Sequence, residues 1–176
     1  ITTIVSGNQL PISYLKTTLT GNLQQIQVKN IAVNTLDGQL TAQGKIRWYP
    51  FLQWDVYLQS HAIKPQAYHI ALPRGEIHSE IEISGKYTKP SVNTHIHIQQ
   101  LNGTLNQYPV SAQAIIDIHN NNIQLQNVTI HSGKNILQAN GNITDIWNLD
   151  WSVHINNINH YLTNTSGSLN SFGTIT

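Results

Sequence analysis

Nine histidines and eight carboxylates are the side chains of this sequence best suited to chemistry, and their spacing limits what that chemistry could be. His95 and His97 alternate, so on a strand both point to one face. An HxH pair of this kind chelates zinc when a neighbouring strand brings a third ligand, here His78. The same positions are ones the chain elsewhere fills with Gln, Asn and Ser, and with histidines scattered throughout the sequence the outward, solvated reading is preferred. Glu76, Glu80 and Glu82 share one parity, whereas a glycosidase sets two carboxylates across a cleft. No nucleophile elbow, P-loop or dinucleotide fingerprint is present, and there is no cysteine. The expectation is a protein without enzymatic activity, cofactor or metal.

The elements that carry these residues read as strands, because the dominant period is two. From Gln39 to Trp48 the apolar parity is Leu40, Ala42, Gly44, Ile46 and Trp48. The stripe recurs as Trp54, Val56 and Leu58, as Ile77, Ile81 and Ile83, and as Val92, Ile96 and Ile98. It continues through Val110, Ala112, Ala114, Ile116 and Ile118, then Leu137, Ala139, Gly141 and Ile143, then Leu149, Trp151, Val153 and Ile155. Turn signals separate the runs, among them Asp37-Gly38, Asn102-Gly103 and Ser132-Gly133. The spacing predicts about ten strands in an antiparallel meander, polar on one face and apolar on the other. Residues 9–19 and 62–72 fit loop or a short helical turn. Sliding the sequence by 97 residues lays 28–58 on 125–155 without a gap, Trp54-Asp-Val56 falling on Trp151-Ser-Val153.

Composition bounds the partners. The 176 residues carry 10% charged side chains and a net charge of +1, too little for binding nucleic acid through its phosphates. Asn and Gln number 36, but 39% apolar content with 24 Ile argues for a folded β-rich chain. No apolar run reaches the ~18 residues of a membrane span, and the chain, beginning at Ile1, reads as a single β-repeat segment (1–176) of something longer. Its apolar face must be covered. A second sheet would make a closed sandwich or solenoid of the kind found in surface adhesins. A sheet folded incompletely on itself would leave an apolar trough, which would mark a ligand or partner site.

The succession of motifs resembles the TamB family. Leu36-Asp-Gly-Gln-Leu40 leads to Gly44-Lys-Ile-Arg-Trp-Tyr-Pro50 and Trp54-Asp-Val-Tyr-Leu58, and Leu101-Asn-Gly103 to Tyr108-Pro-Val110. Leu125-Gln-Asn-Val-Thr-Ile130, Ser132-Gly-Lys-Asn135, Ala139-Asn-Gly141, Trp151-Ser-Val-His-Ile155, Gly167-Ser-Leu169 and Gly173-Thr-Ile175 complete it. The order is similar to the family's repetitive C-terminal half. The resemblance implies an elongated β-taco, a curved antiparallel sheet folded lengthwise around an apolar concave groove. It implies a protein anchored in the inner membrane of a Gram-negative bacterium that crosses the periplasm and partners an Omp85-type outer-membrane barrel. Neighbouring repeats of the same chain would extend the groove. The implied function is movement of phospholipids between the two membranes, in support of outer-membrane and autotransporter protein assembly. A chaperone-like scaffold receiving outer-membrane polypeptides by β-augmentation is the alternative. Acyl chains would then lie on Leu40, Ala42, Ile46, Trp54, Val56, Leu58, Ile81, Ile83, Ile96, Ile98, Val110, Ala112, Ala114, Ile116, Leu137, Ala139, Ile143, Trp151, Val153 and Ile155.

Overall fold

A computed structural model describes residues 2–7, 10–158 and 166–176, with side chains from residue 14 onward. Its strands are β1 (Thr2–Gly7), β2 (Leu10–Gly21), β3 (Gln25–Thr35), β4 (Gly38–Arg47), β5 (Leu52–Ile63), β6 (Gly75–Thr88), β7 (Ser91–Leu105), β8 (Tyr108–His119), β9 (Asn122–Ser132), β10 (Asn135–Ile143), β11 (Trp147–Ile155) and β12 (Leu169–Ile175). They form one antiparallel sheet in which spatial order equals chain order. The molecule is all-β: a single open, curled sheet that fits a taco-like fold. It is not the closed sandwich of the adhesin reading, because no second sheet is present among the described residues.

Short connections explain the meander. Leu36 and Asp37, and again Asn106 and Gln107, are both left-handed, as two-residue hairpins of type I′ require. The longest fully described connection, between β5 and β6, holds one 3₁₀ turn, Pro65–Ala67. The twelve strands exceed the ten expected partly because β1 and β2 were hidden. In Leu10–Gly21 the apolar residues change parity, Ile12 and Tyr14 on one side of the alternation and Leu15 and Leu19 on the other. Pairing with β3 imposes a strand that the local pattern does not announce.

A second device repeats across the sheet. β3, β5, β7 and β9 each carry one residue more than the facing stretch of a neighbour: at Lys29–Asn30, His61–Ala62, Gln99–Gln100 and Gln126–Asn127. A bulge bends its strand and raises the local twist. Bulges on every second strand add these bends, which is a physical basis for the curl. Ala62 and Asn127 adopt φ of 52° at their bulges, a strained choice for alanine that the surrounding ladder must hold.

One rim is tied by side chains as well. Trp48, which the alternation placed on the apolar stripe, lies beyond the end of β4, and its indole Nε1 donates to the Leu23 carbonyl at 2.7 Å. The β2–β3 and β4–β5 turns are thereby joined. Phe51 in the same turn lies under the Lys86 ammonium, 4.5 Å from the ring centroid.

Candidate functional site

Cross-strand partners on an antiparallel sheet share a face, so the register assembles the faces residue by residue. One row runs Leu19, Val28, Gly44, Val56, Ile83, Ile96, Ile116, Leu125, Gly141, Leu149 and Ile175. It crosses β2 to β12 without a polar side chain. At ~4.8 Å per strand it extends about 48 Å.

The flanking rows are nearly as apolar. On one side Ile46, Trp54, Gly85, Thr94, Ile118, Ile123 and Ile143 follow one another from β4 to β10. On the other, Ala42, Leu58, Ile81, Ile98 and Ala114 cross β4 to β8, and Ala139 and Trp151 continue on β10 and β11. A further row holds Leu40, Ser60, Ser79, Leu101, Ala112, Ile130, Leu137 and Val153. Its two hydroxyls satisfy each other, Ser60 Oγ to Ser79 Oγ at 2.8 Å. Val110 pairs with Gly103, and Ile155 with Leu169. All twenty residues singled out in the sequence are therefore brought to one face. The pattern missed Val33, Leu101, Val128 and Ile130. Each follows a bulge, and one extra residue flips the parity of everything beyond it.

The charges take the other face or the turns. Lys45 lies across from Asp55, and Glu82 across from Tyr57 and His97. His95 Nδ1 meets Asp117 Oδ1 at 2.7 Å, and Gln126 donates to the other carboxylate oxygen at 3.1 Å. His97 Nδ1 stands 3.7 Å from Glu82. His78 belongs to a different row, opposite Asn102, so it is not brought to the HxH pair. It faces His61 instead, Nδ1 to Nδ1 at 3.1 Å, which requires one ring to donate and the other to accept. These two line a polar hollow of about 470 Å³ with Gln59, Glu80, Gln100 and Asn102. Among the described residues no group of three or more His, Asp or Glu could hold a metal ion.

Among the described residues nothing covers the apolar face. Ala114, at 8% exposure, is the one buried apolar residue among them. The chain exposes 11826 Å², against roughly 8,600 Å² for a compact protein of its mass. Asn135 is the buried polar residue, its Oδ1 accepting from the Asn156 backbone at 2.9 Å and fastening the end of β11 to the start of β10.

Two tryptophans lie on glycines within the face. Trp54 pairs with Gly85 and Trp151 with Gly173. A Cβ at Gly85 would fall 2.2 Å from Trp54 Cζ2 and 2.6 Å from the Asn93 carbonyl oxygen, so the indole occupies the space that a side chain would need. Gly85→Ala is expected to lower stability by about 1–3 kcal/mol through overpacking. Urea unfolding measures it, and the loss should shrink when Trp54 is also replaced by Ala.

A single antiparallel sheet with one uncharged apolar face, uncovered among the described residues, places the molecule among open-sheet β-proteins. A family model described as TamB, N-terminal domain, matches residues 1–176, and the chain belongs to this family. The motif order had suggested the family's C-terminal half, whereas the matching model is described as the N-terminal domain. The chain is also similar to the translocation and assembly module subunit TamB of Haemophilus influenzae, 23% identical over 157 residues. That match covers 87% of this chain and 12% of the relative, so the chain spans about an eighth of the relative's length. No solved structure matches. Among the described residues no helix is long and apolar enough to cross a membrane.

Proposed function

We propose that this chain is a groove-forming segment of a translocation and assembly module, conducting phospholipids across the periplasm in a protein anchored in the inner membrane. The observation that carries the reading is the uncovered apolar face, with its eleven-strand row free of polar side chains. Burying methylenes stabilises by ~0.8 kcal/mol each, so a 16-carbon tail laid on this face gains on the order of 12 kcal/mol gross. Equivalent apolar positions in series present similar wells, and a tail can step between them. A charge on the rows would make a trap, and every charge in the paired strands described above lies on the opposite face.

The curl is proposed to close around this face, forming the groove. The middle rows are half-buried although no described layer covers them. Neighbouring repeats of the chain extend the groove on either side, residues 28–58 and 125–155 being two turns of one repeating unit. An Omp85-type barrel at the outer membrane receives the lipid, which serves outer-membrane and autotransporter assembly.

In the alternative reading the same face receives an outer-membrane client polypeptide instead of lipid, with β-augmentation as the mode of recognition. Lipid extraction from the full-length protein, purified under mild conditions, separates the two. Stoichiometric phospholipid by mass spectrometry supports the conduit; a protein without lipid but with bound outer-membrane polypeptide overturns it.

A further inference from the structure

The rim formed by the ends of β4 to β7 sets exposed rings beside an excess of positive charge. The β2–β3, β4–β5 and β6–β7 connections all lie on this side. They expose Leu23 at 93%, Tyr49 at 63%, and Trp48, Phe51 and Tyr87 to a lesser degree. The same strand ends carry Lys45, Arg47, Lys86 and Lys89, with Asp55 as the one carboxylate among them. None of the four cations enters an ion pair among the described residues. Arg47 and Lys86 flank Gln53 in one cross-strand row, and Lys45, Arg47, Gln53 and Ser84 line a hollow of about 390 Å³. The opposite rim also exposes apolar side chains, Ile70 at 85%, Tyr68 at 55% and Leu72 at 40%, but its charges are balanced: Asp37 pairs with Lys64 at 3.8 Å, and Arg74 is followed closely by Glu76.

Amphipathic rings beside an excess of cations match one environment in particular. Tyr and Trp settle at the level of lipid headgroups, and Lys and Arg are drawn to anionic phosphates there. The bond from Trp48 to the Leu23 carbonyl holds the two turns together in advance of any contact, and the Lys86–Phe51 stack keeps a cation at their edge. We infer that this rim docks on the surface of an anionic phospholipid bilayer, Trp48, Tyr49 and Leu23 entering the headgroup layer while Lys45, Arg47, Lys86 and Lys89 meet its phosphates. The docking does not depend on lipid occupying the apolar face. It sets that section of the sheet against a membrane rather than free of one.

The test places a photocrosslinking amino acid at Tyr49 of the full-length protein in cells, with a control at Tyr68 in the β5–β6 connection on the opposite rim. Phospholipid adducts are expected at Tyr49 and not at Tyr68, enriched in anionic over zwitterionic headgroups. Lys45→Gln, Arg47→Gln and Lys86→Gln together should lower the adduct on the order of 100-fold, and Lys89→Gln alone, in a turn outside the ladder, about fivefold. An unchanged urea midpoint shows that a variant has kept its fold; should the triple variant fail that check, Lys89→Gln decides. The Tyr49 adduct should persist when Ile98→Asp charges the apolar face. Its loss there would mean that the probe had captured lipid within the groove, and would overturn the docking surface. Equal adducts at both rims, indifference to the charge substitutions, or crosslinks to protein at Tyr49 would overturn it as well, leaving the reading of the apolar face untouched.

Discussion

Ile98→Asp is expected to reduce lipid occupancy of the chain at least tenfold while leaving it folded. Ile98 lies between Ile81 and Ala114 in the middle of the apolar face, and no polar group in its row could pair with a carboxylate there. A charge beside an acyl chain must be desolvated or must bring water with it, and either interrupts the row. Because no described layer packs over the face, the introduced carboxylate can stay hydrated when lipid is absent, so the fold should tolerate the change. The matching control is Gln113→Asp, an exposed position on the polar face opposite Thr129. It is a better control than His97→Asp, which would set a second carboxylate across from Glu82. Phospholipid co-purifying with each variant, quantified by mass spectrometry, measures the effect. Equal losses in the two variants would contradict a role for the apolar face.

Gly44→Val and Gly141→Val are each expected to damage the fold severely. Gly44 has φ of 159° and Gly141 of 140°, both within the region that L-residues avoid. A Cβ at Gly44 would sit 2.2 Å from the Asp55 carbonyl oxygen, and one at Gly141 2.1 Å from that of Asn148. Both obstacles are backbone of the next strand and cannot swing away. Each glycine also pairs with the residue just before a bulge, Val28 or Leu125, where the sheet bends. A loss of about 3–5 kcal/mol each is expected from strain and from separation of the ladder. Chemical unfolding checks it, and a cost below about 1 kcal/mol would show that the two strands can part there freely.

The strands between turns were legible because their alternation is clean. From Leu40 to Ile46 the parity never breaks, from Val110 to Ile118 Ile115 alone departs from it, and these segments fold as the pattern implies. Turn chemistry was legible at Asp37-Gly38 and Ser132-Gly133 for the same local reason. Bulges obscured the rest. At Lys29–Asn30 and Gln126–Asn127 an inserted polar residue shifts the apolar parity within a strand, so Val33 and Val128 read as out of phase. Only the neighbouring strand reveals that the face continues. The two glycines under tryptophan could not be foreseen either, since the Trp54–Gly85 contact depends on register between strands some thirty residues apart in the chain. Nor did the histidines announce their partners: the HxH pair separates, each ring turning to its own carboxylate.

Photocrosslinking from Ile98 and from His97, adjacent along β7 but on opposite faces, tests the central claim most directly. In cells expressing the full-length protein, phospholipid should be captured at Ile98 and not at His97. Capture of polypeptide at Ile98, or silence at both positions, would contradict a lipid-conducting face.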